Sequence, residues 1–180
     1  MDDRLRVYWT EGLFLTPQHL QQTDRSAESR LRRAIQTTAP GQYGLAEMQI
    51  DPDAVRSGDV VVHRVRAVLP DRSVIQVPDY DEAPPARNVR EAFGTDTDRV
   101  TVFLAQPIAR TGRPLAGPDG TAEGRATPFR IKTVSVRDVS PGGEHREIQV
   151  LVPNLRIVFE GEPDEDLTLL PIAAVKRAAG

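Results

Sequence analysis

The stretch Val60-Val61-Val62-His63-Arg64-Val65-Arg66-Ala67-Val68-Leu69-Pro70-Asp71-Arg72-Ser73-Val74-Ile75-Gln76-Val77 decides the fold class. Val61, His63, Val65, Ala67 and Leu69 fall on one face and Arg64 and Arg66 on the other, the period of two that marks a half-buried strand. Pro70-Asp71-Arg72-Ser73 carries tight-turn chemistry. The β-branched run Val74 to Val77 then reads as the returning strand.

Downstream the texture repeats at intervals of about ten residues, with turn residues and no helical pattern between the runs. Val100 to Ala105 is apolar on both faces, as a buried central strand is. Ile148, Val150 and Val152 alternate against Glu147 and Gln149, and Leu155, Ile157 and Phe159 follow the Pro153-Asn154 turn. Phe129 and Ile131 are in phase with each other, but Val134 and Val136 are one step out. One inserted residue, a β-bulge, would restore all four to one face. Asp79 to Arg90 and the Gly- and Pro-rich Thr111 to Thr127 read as loops, the second as a mobile excursion. The expected architecture is mainly β, an antiparallel β-sandwich.

Upstream of Gly44 the period changes. Thr16-Pro17 reads as a helix start, with Thr16 as N-cap and Pro17 at the first helical position. Pro40-Gly41 stops the helix near Thr38. Leu20, Ala27, Leu31 and Ile35 form a thin apolar stripe on it, and Arg25, Glu28 and Arg32 sit at exposed-face spacings. The expected organisation is one domain over 1–180: an arm at 1–15, one N-terminal amphipathic α-helix at 16–38 and the sandwich at 44–175. The arm holds Trp9, Leu13, Phe14 and Leu15 on a segment interrupted by Gly12 and too short to form a stable helix. It either packs at home or docks on a partner, since Trp and Phe dominate both cores and interface hot spots.

Composition bounds the function. The 180 residues contain no cysteine, which excludes disulfides, thiol nucleophiles and thiolate zinc sites. The net charge of −3 gives no global pull toward nucleic acid or an anionic membrane. No apolar run reaches the roughly 18 residues that span a bilayer, so a cytosolic location without membrane insertion is expected. Apart from Lys132 and Lys176 the basic residues are all arginine, which favours bidentate pairing with carboxylates.

Catalytic and metal sites find no pattern to stand on. His19, His63 and His145 form no ligand pair, and there is no nucleophile elbow, P-loop or dinucleotide fingerprint. His63, on the apolar face, reads as a hydrogen-bonded structural histidine. His145 reads as a solvated turn residue. His19, in the first helical turn, is either a partner contact or a local hydrogen-bonder. Asp79-Tyr80-Asp81-Glu82 lacks calcium-loop spacing and reads as a solvated acidic loop. Glu160 to Asp166 reads as a charged turn, with a docking site for a basic partner as its alternative. The expected catalytic, cofactor and metal residues are therefore none.

The segment Trp9-Thr10-Glu11-Gly12-Leu13-Phe14-Leu15-Thr16-Pro17-Gln18-His19-Leu20-Gln21-Gln22-Thr23-Asp24-Arg25 resembles the W-x-E-G-L-F-L-x-P-Q-H-F-Q-Q-x-D-R signature that opens TssK (ImpJ/VasE) family proteins of bacterial type VI secretion, with Leu20 where Phe is usual. Tyr43-Gly44, Ile50-Asp51, Ser57-Gly58-Asp59, Leu69-Pro70-Asp71, Pro153-Asn154-Leu155-Arg156, Phe159-Glu160-Gly161-Glu162 and Leu170-Pro171-Ile172-Ala173 also look similar, in order along the chain. Asp71-Arg72-Ser73 departs from the family's D-G-T turn.

The resemblance implies a β-sandwich shell domain similar to the shoulder of phage receptor-binding proteins. It implies a non-enzymatic baseplate adaptor that forms homotrimers and docks its shell on the TssF/TssG wedge. In the family a helical neck and a C-terminal head follow, and the head contacts the TssJ/TssL/TssM membrane complex. The chain ends near the expected neck, so it reads as a fragment without those parts. The resemblance tips the arm toward partner docking, with Tyr8, Trp9, Leu13, Phe14, Leu15, Gln18 and His19 as the expected partner-binding residues. The alternative is a carbohydrate- or receptor-binding β-module.

Overall fold

The computed structural model describes residues 5–94, 98–140 and 142–177. Residues 1–4 of the expected arm, and Pro141 of the Pro141-Gly142-Gly143 turn, lie outside them. Contacts divide the chain into two units, Met1–Tyr43 and Gly44–Gly180.

In the first unit an irregular arm leads into helix α1 (Pro17–Thr38). The arm turns once, where the Leu13 N–H donates to the Thr10 carbonyl (3.3 Å). Thr16 is extended and precedes Pro17 at the start of the helix, as the sequence predicts. The last turn closes when the Ala39 N–H donates to the Ile35 carbonyl (2.8 Å), just before Pro40. The Gln22 amide donates to the Leu5 carbonyl (2.7 Å) and ties the arm to the helix. The apolar stripe of α1 is left open: Leu20 and Leu31 are 52% and 60% exposed.

The second unit runs β1 (Gly44–Ile50), α2 (Pro52–Ser57), β2 (Asp59–Val60), β3 (Val62–Val68), β4 (Val74–Val77), β5 (Arg87–Asn88), a 3₁₀ turn (Arg90–Ala92), β6 (Arg99–Pro107), β7 (Ala116–Pro118), α3 (Ala122–Ala126), β8 (Phe129–Arg137), β9 (His145–Pro153), β10 (Arg156–Phe159) and β11 (Leu167–Lys176). Two three-stranded antiparallel sheets, β1-β3-β4 and β10-β6-β11, supply the core. Val65, Ala67, Ile75 and Val77 come from the first, and Leu69 from the turn that joins β3 to β4; Val102, Leu104, Ile157, Phe159 and Leu170 come from the second. Their burial, at roughly 1.5–3 kcal/mol for each large aliphatic side chain, is what holds the sheets together. β6 lies between β10 and β11, the central position its apolar run predicts. The fold is mainly antiparallel β with one long N-terminal helix; the short pair β2-β5 and the sheet β7-β8-β9 complete it, β7 running parallel to β8.

Four local expectations are corrected. His63 is not on the buried face. The register runs from Gln49↔Arg64 to Ile50↔Val62, so His63 is the extra residue of a bulge in β3 and turns outward while Val62 turns in. The expected bulge in Phe129 to Val139 is absent. β8 pairs with β9 without a break from Phe129↔Pro153 to Arg137↔His145, so Val134 and Val136 stay opposite to Phe129 and Ile131. They can do so because β7 pairs only with Phe129 to Ile131, leaving the rest of the ribbon accessible on both faces. Thr111 to Thr127 is not a free excursion, since it contains β7 and α3. His145 opens strand β9 opposite Arg137 and so lies beyond the turn, though it is exposed.

Two glycines and one asparagine fix α2 and α3. Gly58 caps α2 at φ 94°, a left-handed conformation that costs an L side chain about 1–2 kcal/mol. Gly124 of α3 sits so close to the Pro118 carbonyl that a Cβ has no room. Asn154, 5% exposed, holds the end of α3: its amide donates to the carbonyls of Gly124 (2.9 Å) and Thr127 (2.8 Å), and its N–H to that of Pro128 (2.9 Å). These bonds join α3 to the start of β10, two neighbours that matter below.

Candidate docking site

The arm leaves its bulky side chains in solvent. Tyr8 is 83% exposed, Phe14 84%, Leu15 55% and Trp9 51%, with Leu13 at 36%. Gln18 is exposed and His19 half-buried. Exposed apolar residues scattered singly mean little, but five within eight positions of one short segment are the kind of clustering that marks interaction surfaces.

His19 has a local task. The Thr16 N–H donates to His19 Nδ1 (3.1 Å), and Thr16 Oγ1 lies 2.8 Å from the same nitrogen. The imidazole thus takes the place that Glu or Gln usually holds at the third position of a capping box. With Nδ1 accepting, the ring proton belongs on Nε2. The Trp9 ring lies 6.1 Å from the imidazole, centroid to centroid, tilted by 41° and within aromatic-pair range. The first helical turn therefore positions Trp9, while Tyr8 and Phe14 are held by nothing comparable among the described residues.

The other charged segments are mostly neutralised at home. Glu162 takes a two-pronged bond from Arg87 (2.7 Å to each oxygen) and accepts the Phe159 N–H (3.0 Å). Arg87, whose contact with the carboxylate is the larger cause, and the Phe159 amide hold the Glu162 carboxyl below its ordinary pKa against an opposing effect of burial. Asp166 pairs with Arg110 and Arg113, and Glu160 accepts the Thr101 N–H (3.2 Å). Three of the carboxylates between Glu160 and Asp166 are therefore engaged at home, as a charged turn expects. In the other acidic loop, Asp79 pairs with Arg64, Asp81 accepts the Gln76 N–H, and Glu82 bridges Arg130 and Lys132. His63 meets Asp51, the N-cap of α2, at 3.1 Å and is about half exposed. Among the described residues no three His, Asp or Glu side chains converge as a metal site would require.

Sequence reading missed one concavity. A cleft of about 690 Å³ opens on the second unit, lined in part by Arg87, Arg125, Arg130 and Arg156. The signal was the surplus of arginine, but arginines far apart in sequence do not announce that they converge.

Fold and site together define a mainly antiparallel β module with an exposed apolar arm, an arrangement suited to binding protein surfaces. Residues 19–180 match the family described as bacterial type VI secretion, VC_A0110, EvfL, ImpJ, VasE. The chain belongs to that family. It is 33% identical over 141 residues to the type VI secretion system baseplate component TssK1 of Pseudomonas aeruginosa (strain PAO1), covering 78% of this chain and 31% of that protein. A crystal structure of TssK superposes with TM-score 0.84 at 23% identity, covering 99% of this chain and 39% of the other. A chain of a cryo-electron-microscopy structure of the type VI secretion TssK-TssF-TssG baseplate subcomplex superposes with TM-score 0.86 at 21% identity, covering 99% of this chain and 58% of the other. The chain thus spans between about a third and three fifths of these relatives, and its whole described fold is shared with them.

Proposed function

We propose that this chain is the shell region of a type VI secretion baseplate subunit, a non-enzymatic assembly module that docks on a TssF/TssG wedge through its arm. The observation that carries the reading is the exposure of Tyr8, Trp9, Phe14 and Leu15 on a segment of their own. Family membership supplies the setting, and the subcomplex in which a relative assembles with TssF and TssG supplies the candidate partner. Trp9 and Phe14 are the anchors, Tyr8, Leu13 and Leu15 extend the apolar contact, and Gln18 and His19 border it at the start of α1. The protein works as a homotrimer at a baseplate on the cytoplasmic side. In the full-length family the link to the TssJ/TssL/TssM membrane complex is the work of a neck and head. No helix is long and apolar enough to cross a membrane among the described residues. The test is the affinity of this chain for purified TssF/TssG, with and without the two anchors. No measurable binding by the folded chain would remove the proposal.

A further inference from the structure

The cleft on the second unit contains two arginines without a counter-ion among the described residues. Arg87 is satisfied by Glu162, and Arg130 by Asp119 (3.0 Å) and Glu82 (3.1 Å). Arg125 and Arg156 have no carboxylate or side-chain hydrogen-bond acceptor among the described residues. The contrast is sharpest at Arg156. Its Nη2 is buried from solvent and meets no hydrogen-bond partner. A buried donor without an acceptor carries its full desolvation cost, of order 1–3 kcal/mol and more when charged. Burial first and the charge of Arg125 second hold the Arg156 guanidinium below its ordinary pKa, as expected of two like charges facing one space. The fold keeps them together deliberately: Asn154 clamps the end of α3, which carries Arg125, against the start of β10, which opens with Arg156.

We infer that this cleft is a receptor for an acidic peptide segment of a partner protein, its carboxylate seated between Arg125 and Arg156. The guanidinium fork suits a carboxylate geometrically and charges both its bonds. The walls argue for a peptide over a bare anion. Pro85, Pro163 and Leu167 line the same cleft, so an occupant with hydrocarbon beside its carboxylate covers surface that inorganic phosphate leaves wet. The site lies wholly on the second unit and does not rest on the arm.

The test uses a capped peptide of alternating leucine and glutamate, its glutamine counterpart, and inorganic phosphate, each titrated calorimetrically into the protein. The glutamate peptide binds, more weakly as salt rises, and the glutamine peptide does not. Arg125→Gln with Arg156→Gln weakens binding at least about tenfold, the scale of one lost charge-assisted pair. Arg110→Gln, whose side chain bonds Asp166 and the Glu165 carbonyl outside the cleft lining, leaves it unchanged. Arg156→Gln alone melts at the same temperature as the parent or higher, since it removes a desolvated, unpaired charge. Arg125→Gln alone, on an exposed side chain, also weakens binding, with no question of folding. The inference is overturned if the glutamate and glutamine peptides bind alike, if the double variant binds as the parent does, or if phosphate saturates the cleft and the peptide does not bind. A clear drop in melting temperature for Arg156→Gln would overturn it too, because the guanidinium would then be serving the fold.

Discussion

Arg72 shows how a single residue can carry a cost that its neighbours conceal. It adopts φ 73° in the turn between β3 and β4, where the family's D-G-T pattern has glycine. The turn still closes: the Arg72 N–H donates to Leu69 (2.8 Å), the Leu69 N–H to Ser73 (2.9 Å), and Asp71 accepts the Ser73 N–H (3.0 Å). Arg72→Gly removes a left-handed strain of about 1–2 kcal/mol and adds unfolded-state entropy worth about 0.4–1, so a net gain of about 0.5–1 kcal/mol is expected. Chemical denaturation reads it directly, and a loss of stability would show that the arginine side chain compensates. The Arg87–Glu162 pair sets a pH dependence. Because the folded-state pKa of Glu162 is depressed, its contribution is fully present above the unfolded value, about 4.3, and is lost as pH falls through the folded value. Glu162→Gln should therefore cost about 1 kcal/mol at neutral pH, the scale of a partly exposed pair, and progressively less as the pH falls into the acid range. Equal losses across that range would mean the charge is irrelevant. The turn at Asp71–Ser73 was legible in the sequence; the arginine's positive φ was legible only as a departure from glycine.

Elements were legible where one face is buried and illegible where neither is. β3 and β6 are fixed by the core, so their apolar phase predicted them, including the central place of β6. The β8-β9 ribbon is half free, and its change of phase expressed two accessible faces and not a bulge. The bulge at His63 hides inside an alternation that looks unbroken, because a histidine can stand on either face. Short α2 and α3 depend on Asp51, Gly58 and Asn154, single residues whose caps are recognisable only once their partners are known. Helix α1 was the plainest of all, yet its stripe finds no cover at Leu20 and Leu31. If that stripe is a contact of the proposed trimer, Leu20→Asp with Leu31→Asp should shift sedimentation toward monomer while leaving the circular dichroism unchanged. A parent chain that is monomeric at high concentration, or a variant that associates equally, would exclude the stripe from assembly.

At the scale of the whole molecule, the chain combines a well-buried β unit with an N-terminal unit whose largest side chains face water. The core explains its own sequence: alternating apolar residues, turn chemistry and capped helices all agree with one fold. The arm does not explain itself by folding, and the proposed partner surface would give it a reason. Cleft and arm, as proposed, also differ in what they would ask of a partner, a carboxylate in one case and apolar pockets in the other. The first could not be read from the sequence because it depends on convergence across β10 and α3. The bulky apolar residues of the arm were visible in the sequence because they lie close together along it, while their docking on a partner is a proposal.

The docking account rests on Trp9 and Phe14, and one double variant tests it most directly. Trp9→Ala with Phe14→Ala should weaken TssF/TssG binding by several kcal/mol, since truncating an interface anchor costs about 2 or more each. The same variant should melt within about 1 kcal/mol of the parent, because side chains more than half exposed contribute little to their own fold. The measurement is wedge affinity and thermal melting on one preparation. If melting collapses by the roughly 3–5 kcal/mol per residue typical of a buried aromatic, while the folded fraction keeps the parent's affinity, the arm belongs to the fold and the docking account is wrong.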